Sequence, residues 1–319
     1  MKFNGFIAAI FLAIIIAYLF PEGIVLFPLK TITDIGIGFI FFFYGLKLSP
    51  AEFKLGFLNY KVHIVIQLTT FLVFPLLTLL FLPFFENGTG SELWIALFFL
   101  GTLPSTVSSS IVMVSLAKGN LPAAIFNASL SGLIGIVATP IWLSFFLSGS
   151  ADFGFLDVLI KLCWQIIIPL ILGLILQKFL GDFARKHSKK LGLLDKTTII
   201  LIVYSSFSNS FSSNIFSSVN SQDLIKLTGI VILLFFVVYF GLGLLCNFLG
   251  FNLKDKITAQ FCGTKKSLVH GSVMVKVIFG NSANTGLLLL PIMIYHSLQL
   301  LLIAFYAEKY RKQVLKAEA

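Results

Sequence analysis

The sequence predicts an all-α polytopic membrane protein with ten transmembrane helices in two inverted five-helix repeats, residues 1–150 and 151–319. Three observations predict it. First, the 319 residues are 58% hydrophobic, include 36 Phe and only 11% charged residues, and have a mean hydropathy of +1.00, which excludes a soluble domain. Second, the apolar residues gather into ten segments, about 4–20, 31–48, 60–84, 92–117, 121–148, 155–180, 194–216, 223–249, 257–280 and 284–308. Third, the +10 net charge is asymmetric along the chain. With the N-terminus inside, seventeen Lys and Arg face the cytoplasm, including Lys2, Lys47, Lys54, Lys61, Lys118, the Lys178–Lys196 cluster and Lys309–Lys316, against Lys30, Lys161 and Lys226 outside. In a soluble protein that surplus would suggest nucleic acid. Here it is the positive-inside pattern of a plasma (inner) membrane protein with both termini cytoplasmic, the loops near Glu86 and Asp152 external, and membrane lipids rather than nucleic acid as partners.

The first segment has a basic start and an apolar core like a signal peptide, but Tyr18, Leu19, Phe20 and Pro21 offer no small-residue cleavage site, so it reads as a span. The third carries Gln67 and Pro75. The fourth contains GTLPSTVSSSIVM, in which Pro104 interrupts an apolar run beside Ser105, Thr106, Ser108, Ser109 and Ser110. Proline removes a helical hydrogen bond, so this helix should break near Leu103 and leave a half-helix with free N–H groups and a positive dipole end at mid-membrane. Small hydroxyl residues that merely let helices pack closely are the competing account. The fifth segment supplies Asn127 and Ser131. The seventh, YSSFSNSFSSNIF, places Ser205, Asn209 and Ser212 on one face, its end beyond Ser213 reading as a loop through Ser217, Ser218 and Ser221. The basic segment from Lys178 to Lys196 reads as a cytoplasmic loop, a connector facing lipid headgroups. Cys163, Cys246 and Cys262 fall in different spans, as packing residues rather than disulfides or a metal site.

The ninth segment is the least apolar, because it carries Lys265, Lys266, His270 and Lys276. A nine-span chain without it would place the basic C-terminus outside, against the charge bias. Lys265 and Lys266 lie roughly 15 Å of helix beyond Lys256, about half of a hydrocarbon core. The thirteen Asp and Glu sit at or beyond segment ends, so the fixed intramembrane charge is positive and its natural guest is an anion. His270, one turn beyond Lys266, reads as a packing residue or a proton carrier. Gly101-Thr102, Val112-Met113-Val114 and Gly119-Asn120 echo Gly263-Thr264, Val273-Met274-Val275 and Gly280-Asn281, the last two at an offset of 161 residues. Two homologous units of five spans must insert with opposite orientation.

LPSTVSS, LAKGN before an alanine-rich span, FCGTKKSL and the closing YHSLQLLLIAFYAEKYRKQ together resemble the bile acid:sodium symporter superfamily (solute carrier family 10), in its SBF-like branch with vertebrate member 7, bacterial homologues and fungal calcium-homeostasis regulators. The resemblance implies a panel of helices 1, 2, 6 and 7 and a core of helices 3–5 and 8–10, with broken helices 4 and 9 crossing near the substrate. In the sodium-coupled members a Glu and a Gln-containing stretch of helix 9, a Ser and a Thr of helix 5, and oxygens of helix 4 hold two sodium ions. Here Phe261 stands at the Glu position, Lys265 at the Gln, and Ala124 and Ala128 on helix 5, while Ser109 and Ser110 match helix 4 and Gln67 resembles the helix 3 glutamine.

An ammonium group about 4 Å from sodium adds repulsion of roughly 4 kcal/mol at an effective dielectric of about 20. The expectation is therefore a secondary transporter of a small organic anion, without cofactor and with the usual sodium ligands largely replaced. Lys265 or Lys266 would act as a tethered cation with Ser108, Ser109, Ser110, Asn127 and Ser131 as acceptors, and Gln67, His270 and Asn209 nearby. Purely structural lysines, which pin the crossing by hydrogen bonds to unwound carbonyls, are the alternative. Two other functions stay open: ordinary sodium-coupled symport of a bile-acid-like anion, with sodium at Ser109 and Ser110, and regulation of calcium homeostasis through partners. An intramembrane enzyme is disfavoured, since the segments hold no carboxylate pair, HExxH motif or Ser-His spacing of a hydrolase.

Overall fold

The computed structural model describes residues 5–47, 59–85, 88, 91–147, 155–214, 221–280 and 284–318. Lys2, Lys54, Glu86, Asp152, Ser217, Ser218 and Asn281, and the side chain of Ser108, lie outside the described part. The described elements are helical throughout: α1 (Gly5–Leu19), α2 (Gly23–Leu26), α3 (Leu29–Lys47), α4 (Tyr60–Leu68), a π-turn (Thr69–Val73), α5 (Phe74–Leu79), a 3₁₀ turn (Leu82–Phe84), α6 (Glu92–Thr102), α7 (Ser108–Leu116), α8 (Leu121–Leu147), α9 (Phe155–Leu162), a second π-turn (Cys163–Ile167), α10 (Ile168–Lys186), α11 (Ser188–Ser212), α12 (Ser221–Phe248), α13 (Leu253–Gly263), α14 (Leu268–Phe279) and α15 (Thr285–Glu318). Among the described residues, seven helical stretches are long and apolar enough to cross a membrane: 29–47, 60–79, 121–146, 160–186, 188–212, 221–248 and 285–316. The chain is an integral, polytopic helical membrane protein. Shorter apolar helices stand at Ala8–Leu19 and Glu92–Thr102, and the predicted fourth and ninth segments are each divided into two short helices.

Two expectations are corrected. The Lys178–Lys196 stretch is not a loop. Helix α10 runs to Lys186 and α11 starts at Ser188, with only His187 turning between them, because this stretch is rich in helix-forming Lys, Leu, Ala and Arg and holds no proline. The last helix likewise continues past residue 308 to Glu318. Its extension, AEKYRKQVLKAE, is made of strong helix formers, and Ala307 and Val314 on one face are buried.

The chain forms two compact units. One comprises residues 1–48, 147–221 and 271–290; the other comprises 49–146, 222–270 and 291–319. In the first, glycines set the helix spacing. A Cβ on Gly45 would strike the backbone of Leu170, and one on Gly173 would strike the Phe42 carbonyl, so α3 and α10 cross in backbone contact. Ser210 Oγ accepts from Gly286 N (3.0 Å). In the second unit α6 and α13 are both eleven residues long and begin 161 residues apart (253 − 92) and end 161 apart (263 − 102). Each has a side-chain N-cap, Ser91 accepting from Trp94 N and Asn252 from Asp255 N. Each gives way to a short non-helical stretch, 103–107 and 264–267, before the next helix.

Candidate functional site at two helix breaks

The first break follows from Pro104. The residue before a proline is pushed out of the helical region, and Leu103 is extended, at φ −68° and ψ 149°. The C-terminal carbonyls of α6 are orphaned at that point, inside a unit where water is scarce, and each finds a donor. Phe99 O takes Thr102 Oγ1 (2.8 Å), Thr102 O takes Thr139 Oγ1 (2.8 Å), and Pro104 O takes Ser267 N (2.9 Å). Gly101 O and Leu103 O both take Lys266 Nζ, at 2.7 Å each.

The second break is satisfied the same way. Cys262 O accepts from Ser105 Oγ (2.6 Å), Thr264 O from Tyr295 OH (2.6 Å), and Thr264 Oγ1 donates back to Gln260 O. Gln299 clamps the Lys266 residue at both ends: its Oε1 accepts from Lys266 N and its Nε2 donates to Lys266 O, both at 2.8 Å. Ser267 then caps α14, its Oγ accepting from His270 N (3.2 Å). The two breaks are thus hydrogen-bonded directly to each other through Pro104–Ser267 and Ser105–Cys262.

Lys266 is 1% exposed, and its third partner comes from the π-turn. Phe74 N bonds five residues back to Thr69 O, and Pro75 has no N–H. The carbonyls of Thr70 and Phe71 therefore lose their helical donors. Trp142 Nε1 fills one (2.7 Å to Phe71 O) and Lys266 Nζ the other (2.8 Å to Thr70 O). The Phe74 ring centroid lies 4.1 Å from the same ammonium.

Lys265, fully buried, turns elsewhere. Its Nζ donates to Ser109 O (2.7 Å) and reaches Ser109 Oγ at 3.3 Å, in the first turn of α7. Ser109 Oγ continues to Thr106 Oγ1 (2.8 Å), and Thr106 and Ser110 share a hydroxyl contact (2.8 Å). A cation beside a string of hydroxyls at the N-terminal end of a half-helix can hold an anionic group. Among the described residues neither lysine is paired with a carboxylate.

Other predicted site residues fall nearby in the same unit but on different partners. Ser131 Oγ accepts from Ser105 N (2.9 Å), and Asn127 bonds His63 Nδ1 (2.6 Å) and accepts from Gln67 Nε2 (3.1 Å). Asn127 and Ser131 therefore support the break and its flank, and the lysines' acceptors are Ser109 and backbone. His270 Nδ1 meets Ser267 Oγ at 3.0 Å. Asn209, half-buried, belongs to the other unit. Phe261, Ala124 and Ala128, which the resemblance aligns with sodium ligands, are all fully buried and apolar. Sequence reasoning missed His63, Thr139 and the π-turn. Pro75 was the available signal for the last, since it frees the carbonyls before it.

The sequence pattern of the SBF-like CPA transporter family matches residues 4–312. Similar proteins include PA2026 of Pseudomonas aeruginosa, 34% identical over 97% of this chain and 93% of that one. The sodium/bile acid cotransporter 7-B of Xenopus laevis is 32% identical, over 95% of this chain and 90% of its own. The sodium/bile acid cotransporter 7 of Rattus norvegicus is also 32% identical, over 86% and 82%. The chain belongs to the SBF-like CPA transporter family, a family of transporters and not of enzymes.

Proposed function

We propose that this family member is a secondary transporter of a small organic anion that binds at Lys265, with ten spans, both termini cytoplasmic in the plasma (inner) membrane, and two inverted repeats working by alternating access. The observation that carries the reading is the Lys265 ammonium, fully buried beside Ser109 at the N-terminal turn of α7, where dipole and charge both favour an anion. The repeat reading is supported by α6 and α13, which match in length, capping and termination at an offset of 161 residues, the offset of the Val-Met-Val and Gly-Asn echoes after the breaks. In this account Lys265 stands where a sodium ligand would be, and the buried Phe261, Ala124 and Ala128 offer sodium no side-chain oxygen.

The experiment is anion uptake into proteoliposomes with sodium, potassium or choline outside. Uptake independent of sodium and reduced in Lys265→Met supports the proposal; no flux of any anion by the reconstituted protein contradicts transport. Ordinary sodium symport is the second reading, favoured by relatives named sodium/bile acid cotransporter, and strictly sodium-dependent uptake would select it.

A further inference from the structure

Three carbonyl oxygens, Thr70 O, Gly101 O and Leu103 O, converge within 2.7–2.8 Å of Lys266 Nζ. Each can only accept, so each requires an N–H. A neutral amine has two hydrogens and would turn its lone pair on the third oxygen, whereas an ammonium has three hydrogens and no lone pair. The Phe74 ring face, 4.1 Å away, adds a fourth ligand that attracts only cations. Two of the oxygens close the C-terminal end of α6, the negative end of its dipole. The third exists because Pro75 interrupts the bonding of the π-turn. These are hard main-chain oxygens, which no side-chain change removes; three of them match the three hydrogens of an ammonium, and an alkali ion would complete its shell with water in the space the side chain vacates.

We propose that the chain encloses a monovalent-cation site, built from its own backbone, that Lys266 fills as a tethered ion, and that shortening the tether opens this site to a free small ammonium or alkali cation. The site joins the π-turn to the end of α6 and the second break, so in the native chain this joint is closed without any ion from solution. The inference rests on the geometry at Lys266 and stands whether or not Lys265 binds an anion.

The probe is n-propylammonium, which replaces the atoms removed in Lys266→Ala. Thermal melting of purified Lys266→Ala protein would be measured in n-propylammonium, sodium, potassium or choline chloride at equal ionic strength. The expected result is a Tm below that of the native protein by roughly 5 °C or more in choline, raised by n-propylammonium and less by sodium or potassium, while the native protein responds equally to all four. A variant as stable as native in choline, or one raised by none of the small cations, would overturn the proposal. If Lys266→Ala gives no folded protein, Lys266→Met is decisive: native-like stability overturns the proposal, and a loss that n-propylammonium fails to restore, because the methionine stem fills its space, supports it. If no position-266 variant folds, progressively fluorinated phenylalanine at Phe74 takes their place. A stepwise fall in Tm supports a cation on that ring, and a flat series contradicts it.

Discussion

Lys266 meets backbone carbonyls from the π-turn and from α6, together with a ring face, and its own peptide is held at both ends by Gln299. Its neighbour Lys265, equally buried, meets one serine in the first turn of α7. Burial costs each ammonium several kcal/mol. Three charge-assisted bonds and a cation–π contact offset that cost at Lys266, and those groups have no freedom to exchange the ammonium for a ligand. At Lys265 the compensation is smaller, one backbone carbonyl and one hydroxyl of Ser109, which under the proposed function leaves an incoming anion room to add to it. Under the proposed function, two adjacent lysines that the sequence presents as a pair divide into a fastener, Lys266, and a binding group, Lys265. The hydrogen bonds at Lys266 support the structural reading there, and the proposed function gives the ligand reading to Lys265.

That division predicts unequal damage. Lys266→Met, which keeps the aliphatic stem, leaves three buried carbonyls without donors and should cost about 3–5 kcal/mol, since each unsatisfied buried acceptor costs about 1–3 kcal/mol while the desolvation of the ammonium is recovered. Thermal melting or the yield of folded protein in detergent checks it, and a melting point within a degree or two of native would erase the distinction. Gln299→Leu removes both bonds to the Lys266 peptide and should cost about 2–3 kcal/mol, seen as a lower Tm without loss of the ability to fold. A Gln299→Leu protein as stable as native would show that the second break holds its shape unaided. Lys265→Met should change stability by no more than about 1 kcal/mol, since it orphans one hydroxyl contact and a carbonyl already placed within helix α7. A larger loss there than at Lys266 would reverse the comparison.

The helical membrane class and both breaks were legible because their causes are local: composition, Pro104 before a hydroxyl run, and lysines where apolar residues belong. The 161-residue offset between α6 and α13 matches the echo that the sequence shows after the breaks, at Val112-Met113-Val114 and Val273-Met274-Val275. The partners of the lysines were not legible. They depend on which carbonyls lose their helical donors, and that is decided by the π-turn and Pro75, some 190 residues before Lys266 in the chain. Asn127 and Ser131 look in the sequence like free oxygens for a cation, yet His63, Gln67 and Ser105 occupy them. The Lys178–Lys196 stretch misled for a different reason: charge density suggests a loop, while propensity favours helix on either side of His187.

The most direct test of the account is a binding titration of organic anions to purified native and Lys265→Met protein, by thermal shift or calorimetry, in sodium, potassium and choline at constant ionic strength. Loss of one charged hydrogen bond should weaken the anion by about 1.5–3 kcal/mol in Lys265→Met, and the native affinity should be the same in all three salts. Strong sodium-dependent binding by the native protein, with Lys265→Met binding as tightly as native, would contradict the account.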